Sequence, residues 1–242
     1  MTLRETESRL AVAGGELPLL VVGSPDASSP TVIVLGEIWA VNSQIRGLCR
    51  RLAAEGCTVI APDLYRGRGV PRAEAPQDEL NLSFAAFPDV RAIRDLRLLL
   101  QAIAAGRFAT GRAPPCLWGF CMGGRFAHYM AALDRGIAGA INFYGRLSFP
   151  RDGTKPFTPL DLCELIQVPY LGVFAEHDPL IPLTDVNELR QRMRQSNIEG
   201  TIRVFDGAQH GFMNETRPAH NPTIAAAAWS LAIDFIRARS RG

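Results

Sequence analysis

Short apolar runs alternate with amphipathic segments along most of this chain of 242 residues. An alternation of polar and apolar residues from Arg9 to Val22, interrupted at Gly14-Gly15, predicts an opening hairpin. Apolar runs rich in β-branched residues predict buried strands over 31–36, 57–62, 115–119, 137–144, 170–175 and 201–205. Apolar stripes at helical spacing predict helices over 41–55, 89–105, 123–133, 183–195 and 224–239, the second of them capped by Asp89. Strands that alternate with helices indicate an α/β fold with a largely parallel sheet.

Two segments do not fit this alternation. Residues 63–88 show no clear period, and their Gly and Pro residues predict a long loop, which in a compact domain is usually functional. This loop and the segment 145–168 are expected to shape a pocket. The chain has neither internal repeats nor a low-complexity linker, so we predict one domain over residues 1–242.

The composition excludes several classes of protein. With 47% hydrophobic and 21% charged residues the chain is neither disordered nor fibrous, and no apolar run reaches the length of a membrane span. The polar first residues predict no secretion signal, so we expect a cytoplasmic protein without a membrane partner. The 26 basic and 24 acidic residues give a net charge of +2, and the arginines are scattered, so no nucleic-acid partner is expected.

The five cysteines are odd in number and form no C-x-x-C pair, which predicts reduced thiols. No Cys/His cluster has zinc spacing, so no metal site is expected. A free cysteine is most often a small buried hydrophobic residue. That interpretation is the favoured one for Cys49, Cys57, Cys116 and Cys163.

Cys121 is different because it lies at the centre of Gly119-Phe-Cys-Met-Gly123. This is the pattern of a nucleophile elbow, with Cys in the place of Ser, between a predicted strand and a predicted helix. The nucleophile must occupy a sharp, strained turn, and the flanking glycines let two backbones approach each other there. A thiolate at that point is also stabilised by the helix dipole.

A cysteine nucleophile needs a base that a third group orients, in the chain order nucleophile, acid, histidine. His210 fits as the base because it follows a strand and is bracketed by glycines. Asp178 fits as the orienting acid because it follows the preceding strand, where α/β sheets build their sites. Glu176 and Asp206 are alternative acids, and Asp178 has the alternative role of capping a turn before Pro179. The other histidines fit less well, by position or surroundings: His128, His177 and His220.

Six pieces of the chain resemble the dienelactone hydrolase family of the α/β-hydrolase superfamily, in family order. They are Leu35–Asn42, Ala61–Tyr65, Gly119–Gly124, Asn142–Gly145, Asp178 and His210–Phe212. The resemblance implies an α/β-hydrolase fold, with a mostly parallel central sheet and helices on both faces. It implies hydrolysis of a small lactone or ester through a Cys-His-Asp triad and an acyl thioester.

The resemblance also implies roles for further residues. In that family, the residue that matches Glu37 takes the thiol proton when substrate binds, although from its position alone Glu37 would be an exposed acid at a strand end. The backbone N–H groups that match Ile38 and Met122 form the oxyanion hole, and Trp39, Tyr144 and Asn214 match positions near the substrate. The resemblance implies no cofactor, a small-molecule partner, and a monomer or homodimer.

The sequence departs from that family at two positions that matter for substrate choice. Members that cleave dienelactone hold the substrate carboxylate with two arginines, and here Leu80 and Asn214 stand at those places. Arginines at other positions are candidates to replace them: Arg72, Arg125, Arg146 and Arg217.

Two other functions stay open from the sequence. One is a binding or sensing protein that keeps the hydrolase scaffold without turnover, since a fold does not guarantee its chemistry. The other is a thiol redox protein that uses Cys121, although no nearby cysteine is placed to resolve it. Nucleotide enzymes are disfavoured, because neither G-x-G-x-x-G after a strand nor a P-loop is present.

Overall fold

Eight strands form one sheet in the computed structural model, which describes residues 3–23 and 29–239. The strands are β1 Arg4–Val12, β2 Gly15–Gly23, β3 Thr31–Leu35, β4 Thr58–Pro62, β5 Cys116–Phe120, β6 Gly139–Phe143, β7 Tyr170–His177 and β8 Gly200–Gln209. Their order across the sheet is β1-β2-β4-β3-β5-β6-β7-β8. The β1–β2 hairpin and the β2–β4 pair are antiparallel, and all later pairs are parallel. The predicted α/β architecture is confirmed.

The helices are α1 Ser43–Ala54, α2 Gln77–Ala86, α3 Asp89–Ala104, α4 Met122–Leu133, α5 Pro159–Leu162, α6 Leu183–Gln195 and α7 Pro222–Arg239. A 3-10 turn over Cys163–Leu165 follows α5. Across the sheet, the connection from β3 to β4 runs towards β1, and the connection from β4 to β5 runs in the opposite direction, towards β8. Because parallel crossovers are right-handed, α1 and α3 lie on opposite faces of the sheet. Within the described ranges, no helix is long and apolar enough to cross a membrane.

The central strands supply the core, since every residue of β3, β4, β5 and β6 is buried. Strands covered on both faces are expected to be apolar throughout, and these are. The strand order reverses at β3, whose neighbours are β4 and β5. Ligands bind at such a reversal, beyond the carboxyl ends of the strands. The segments that follow β3 and β5 meet there.

The structure corrects the prediction of a structureless loop over 63–88, because α2 occupies ten of its residues. Leu80 and Phe84 lie four residues apart and face the protein, but Leu82 between them is 71% exposed. Because α2 has apolar residues on its buried and its exposed side, its sequence shows no apolar stripe at helical spacing. The prediction of Asp89 as a helix cap is also wrong, since Pro88 is the cap and Asp89 lies buried in the first turn of α3.

Lys155, the only lysine in the sequence, ties the segment 145–168 to α2. Its buried Nζ donates to the carbonyl oxygens of Ala85 and Phe87, each at 2.7 Å. These carbonyls end α2, and a cation is favourable at a helix C-terminus. The interaction holds α2 in place beside the carboxyl edge of the sheet.

Candidate active site

Cys121 lies on a sharp turn between β5 and α4. Its φ of +51° and ψ of −110° are strained for a residue with a side chain. A Cβ atom on Gly119 would lie 2.0 Å from the carbonyl oxygen of Gly123, and one on Gly123 would lie 2.1 Å from that of Leu35. The two glycines therefore let the backbones pack closely enough to hold Cys121 in this turn.

His210 lies between Cys121 and Asp178. Its Nε2 is 3.1 Å from the Sγ of Cys121, and its Nδ1 is 2.7 Å from Oδ2 of Asp178. The N–H of Leu180 donates to the other oxygen of Asp178 at 2.8 Å and fixes the buried carboxylate. Strand pairing creates this arrangement, since His177 of β7 pairs with Gln209 of β8. Asp178 and His210 directly follow the last residues of these two strands, so the pairing brings them together.

The alternative acids lie elsewhere. Glu176 accepts a hydrogen bond from the backbone N–H of Gly207 at 2.8 Å, and Asp206 is exposed. Of these three carboxylates, Asp178 is the one bonded to His210. His128 is buried against the hydroxyl of Tyr170, away from the cavity described below.

The charge state of His210 depends on its two partners. Burial disfavours the imidazolium, but the side chains of Cys121 and Asp178 outweigh this and raise the pKa of His210 well above its ordinary value. His210 can therefore carry a proton next to the sulfur. A protonated imidazole at this place is a ready proton donor for a leaving group.

Glu37 follows β3 and is only 4% exposed. Asn214 Nδ2 donates to one of its oxygens at 2.6 Å, and the hydroxyl of Tyr144 donates to the other at 3.3 Å. Burial raises the pKa of Glu37, against the opposing effects of Asn214, His210 and Tyr144. The carboxyl group is therefore a stronger base than an exposed glutamate.

Glu37, Ile38, Trp39, Cys121 and Met122 all line a cavity of about 460 Å³. The first three follow β3 and the last two follow β5, so the cavity lies at the reversal of strand order. Met122 is the first residue of α4, where backbone N–H groups have no acceptor within the helix.

Tyr144 and Asn214 lie away from the cavity wall, although the resemblance placed them near the substrate. Both side chains are buried and turned towards Glu37, and the Oδ1 of Asn214 accepts hydrogen bonds from the backbone and hydroxyl of Thr216. Trp39 does line the cavity, with the guanidinium of Arg217 above its ring at 4.5 Å.

Residues 63–88 were expected from the sequence to shape a pocket, but the helix α2 through which they form one wall of the cavity was not predicted. That helix contributes Gln77, Leu80, Asn81 and Phe84. Leu80 was singled out by the family resemblance, whereas no local pattern identified Gln77, Asn81 or Phe84. Three of the four arginines proposed as substitutes also line the cavity: Arg125, Arg146 and Arg217.

Neither a disulfide nor a metal cluster is found near the site. All five cysteines are free thiols, four of them buried, and Cys121 is partly exposed. In residues 3–23 and 29–239, no three His, Cys, Asp or Glu side chains are grouped as a metal site would require.

Glu37→Gln is expected to stabilise the protein at pH 7 by about 1 kcal/mol or more, because a buried carboxylate is costly. Burial raises the pKa of Glu37, so its contribution favours folding at low pH and opposes folding as the pH rises through that pKa. The gain in urea midpoint should therefore shrink as the pH falls below about 4, where Glu37 becomes protonated in the unfolded state as well. The matched change Glu74→Gln, at an exposed site, should show no such gain. A variant less stable than the parent at pH 7 would contradict the raised pKa.

Known proteins are similar to this chain along most of its length. The profile of the dienelactone hydrolase family matches residues 18–240. A protein of Escherichia coli K12 named "putative carboxymethylenebutenolidase" is 32% identical over 213 residues, which are 88% of this chain and 78% of that protein. A Yersinia pestis protein of the same name is 31% identical over 95% of this chain and 86% of its own.

A solved structure agrees with these relatives. The crystal structure of a "putative dienelactone hydrolase" from Klebsiella pneumoniae superposes with a TM-score of 0.90 at 29% identity, and covers 98% of this chain and 99% of its own. The sheet and helices described above are thus those of the α/β-hydrolase fold. With the profile match and the sequence relatives, this shows that the chain belongs to the dienelactone hydrolase family and is an ester or lactone hydrolase.

Proposed function

We propose that this protein hydrolyses a small lactone or ester through a thioester on Cys121, with His210 and Asp178 completing the triad. The observation that carries the proposal is the chain of contacts at the cavity, 3.1 Å from Nε2 of His210 to the sulfur and 2.7 Å from Nδ1 to Asp178. Nucleophile, base and orienting acid are each within hydrogen-bond reach.

In the acylation step, the sulfur of Cys121 attacks the carbonyl carbon and the electrons of the carbonyl bond move to its oxygen. When that intermediate collapses, the bond to the ester oxygen breaks and protonated His210 donates its proton to the leaving oxygen. For a lactone, the new hydroxyl stays on the same molecule. The raised pKa of His210 supports its role as the proton donor.

In the deacylation step, neutral His210 takes a proton from water while the water oxygen attacks the thioester carbon. Collapse of the second intermediate expels the sulfur of Cys121 and releases the acid. The buried carboxylate of Asp178 holds the imidazole in the required tautomer and stabilises its charged form.

Glu37 is our candidate for the group that first removes the thiol proton and returns it after turnover. Its raised pKa supports this role, since a stronger base removes a proton more readily. Tyr144 and Asn214 would act as positioning residues, because their hydrogen bonds fix the carboxyl group. Substrate that displaces either bond would free Glu37 to reach the sulfur.

The backbone N–H groups of Ile38 and Met122 are our candidates for the oxyanion hole. Both residues line the cavity, which supports this assignment. Donors of this kind are worth roughly 3–4 kcal/mol each in transition-state stabilisation.

Trapping the acyl-enzyme would test the proposal. A short 4-nitrophenyl ester, a neutral lactone and a dienelactone are assayed, and the best substrate is quenched with acid during turnover. Mass spectrometry should find one acyl group on the peptide that contains Cys121, and neutral hydroxylamine should remove it as it does a thioester. An adduct on a hydroxyl group, or turnover that persists in Cys121→Ala, would overturn the mechanism. If the wild type is as inert as Cys121→Ala towards all three compounds, the result would favour the alternative function, a binding or sensing protein without turnover.

A further inference from the structure

Three polar side chains lie buried within the apolar core, between α4 and the sheet. They are His128 of α4, Asn142 of β6 and Tyr170 of β7, and each is 0% exposed. The Nδ2 of Asn142 lies 2.9 Å from the hydroxyl of Tyr170, and the Nδ1 of His128 lies 2.9 Å from the same hydroxyl. A buried polar group costs free energy unless it is hydrogen-bonded, so these side chains are stable here only as a group.

The hydrogen bonds of this group run in one direction. The amide NH2 of Asn142 can only donate, so the oxygen of Tyr170 accepts from it and the hydroxyl hydrogen points to His128. Burial lowers the pKa of His128 to about 4, which leaves a neutral imidazole at pH 7 whose Nδ1 can accept that hydrogen. The amide of Asn142 is therefore oriented with its oxygen towards the turn that follows β6.

The oxygen of Asn142 restrains that turn. It accepts a hydrogen bond from the backbone N–H of Gly145 at 2.8 Å. Between these two residues lies Tyr144, whose φ of +41° is strained for a residue with a side chain. Such a conformation persists only where the surrounding structure holds it. Asn142 holds it from inside the protein, together with a hydrogen bond of 2.8 Å from the N–H of Tyr144 to the carbonyl oxygen of Val173.

The turn after β6 packs directly against the nucleophile turn. A Cβ atom on Gly145 would lie 2.4 Å from both the oxygen of Asn142 and the backbone nitrogen of Arg125 in α4. The backbone N–H of Cys121 also donates to the carbonyl oxygen of Phe143 at 2.9 Å. A shift of the turn after β6 would therefore be transmitted to the backbone around the nucleophile.

Tyr144, which this turn carries, contacts two of the proposed catalytic groups. Its hydroxyl donates to Oε1 of Glu37 at 3.3 Å. Its ring lies edge-on to the imidazole of His210, with the ring centres 5.3 Å apart, and it packs in the same way on Phe212. The position of Tyr144 thus affects both the proposed thiol base and the proposed general base.

We propose that Asn142 is a positioning residue of the reaction, whose amide holds the turn after β6 in the shape that keeps Tyr144 against both proposed catalytic groups. Tyr170 and His128 orient the amide from behind. All three buried polar side chains lie away from the cavity wall, so they act without touching substrate. The inference rests on the proposed function, since it concerns how the proposed site is held in position.

Changes within the buried group test the proposal. Asn142→Leu keeps the approximate volume but removes both hydrogen bonds of the side chain. It should lower kcat for the best ester by about 10- to 100-fold and change KM by no more than about threefold, because misplaced catalytic groups slow the chemical step while the cavity wall is intact. Tyr170→Phe removes only the hydroxyl that orients the amide, so a smaller loss is expected. Asn142→Asp keeps an acceptor for Gly145 and a partner for Tyr170, so it should retain most of the wild-type kcat.

Leu189→Ala is the matched control for a loss of stability. Leu189 is 0% exposed on α6 and lies away from the cavity wall, so this variant should unfold at lower urea concentration yet keep kcat within about twofold. Rates are compared where circular dichroism shows each variant to be folded, and Tyr170→Phe is decisive if Asn142→Leu does not fold. A wild-type kcat in Asn142→Leu, or a loss that Leu189→Ala or Asn142→Asp matches, would overturn the inference while the mechanism stands.

A spectroscopic measurement separates this inference from the hydrolytic mechanism. The hydrogen between Nδ1 of His210 and the carboxylate of Asp178, 2.7 Å apart, should give a downfield proton resonance, assigned by its absence in His210→Gln. Asn142→Leu should shift or broaden that resonance, because Tyr144 packs on the imidazole, and Leu189→Ala should leave it in place. The measurement does not depend on turnover. An unchanged resonance in folded Asn142→Leu would overturn the inference even if no ester is hydrolysed.

Discussion

Cys121→Ala is expected to lower kcat by about 10⁴- to 10⁶-fold, because the alanine variant has no atom that can form the acyl intermediate. The loss should appear in kcat, since Cys121 is partly exposed on the cavity wall and its methyl replacement leaves the cavity open. Steady-state hydrolysis of the best ester gives the measurement. The matched change Cys57→Ala removes a buried thiol away from the cavity and should leave kcat within a few-fold.

His210 offers a second test of the same prediction. His210→Gln should lower kcat by about 10²- to 10⁴-fold, because it removes both general base and general acid. The double variant with Cys121→Ala should be little worse than Cys121→Ala alone, since residues that act as a unit do not add. His177→Gln, next to Asp178 in the chain but with an exposed side chain, should have no such effect. Independent, additive losses from Cys121 and His210 would contradict a shared step.

Asp89→Ala is expected to lower the free energy of unfolding by about 3–5 kcal/mol, because it leaves Arg125 and Lys155 buried without a counter-charge. Asp89 is 1% exposed, so water cannot replace its carboxylate without opening the structure. Urea unfolding, followed by circular dichroism at neutral pH, measures the loss.

Two further variants make that measurement interpretable. Asp89→Asn keeps the volume but removes the charge and replaces one acceptor oxygen with an NH2 donor, so it tests the loss of the ion pairs even where the alanine variant fails to fold. Asp234→Ala removes an exposed carboxylate of α7 and should stay within about 0.5 kcal/mol of the parent. A loss for Asp89→Asn as small as that for Asp234→Ala would show that the buried cations do not need Asp89.

The strands and most helices follow from local pattern, because a buried parallel strand must be apolar along its whole length and an amphipathic helix repeats every turn. The sequence-based prediction of an element is wrong where the pattern of apolar residues is irregular or where a distant strand sets its length. Leu82 of α2 is exposed beside Leu80 and Phe84, so the helix has no clear apolar stripe in sequence. β8 extends beyond the predicted 201–205 because its last residue pairs with His177 of β7, a contact that no local pattern contains.

The chain by itself determined the nucleophile turn and its place in the fold. A Cβ atom on Gly119 would clash with the carbonyl oxygen of Gly123 across the turn, so the need for glycine there is local. Only the tertiary structure decided which acid meets His210, because Asp178 and His210 become neighbours through the pairing of β7 with β8. It also decided that Arg146 lines the cavity and that Asn214 faces Glu37. Charge, burial and proton affinity depend on distances between residues far apart in the chain, and those distances exist only once the chain has folded.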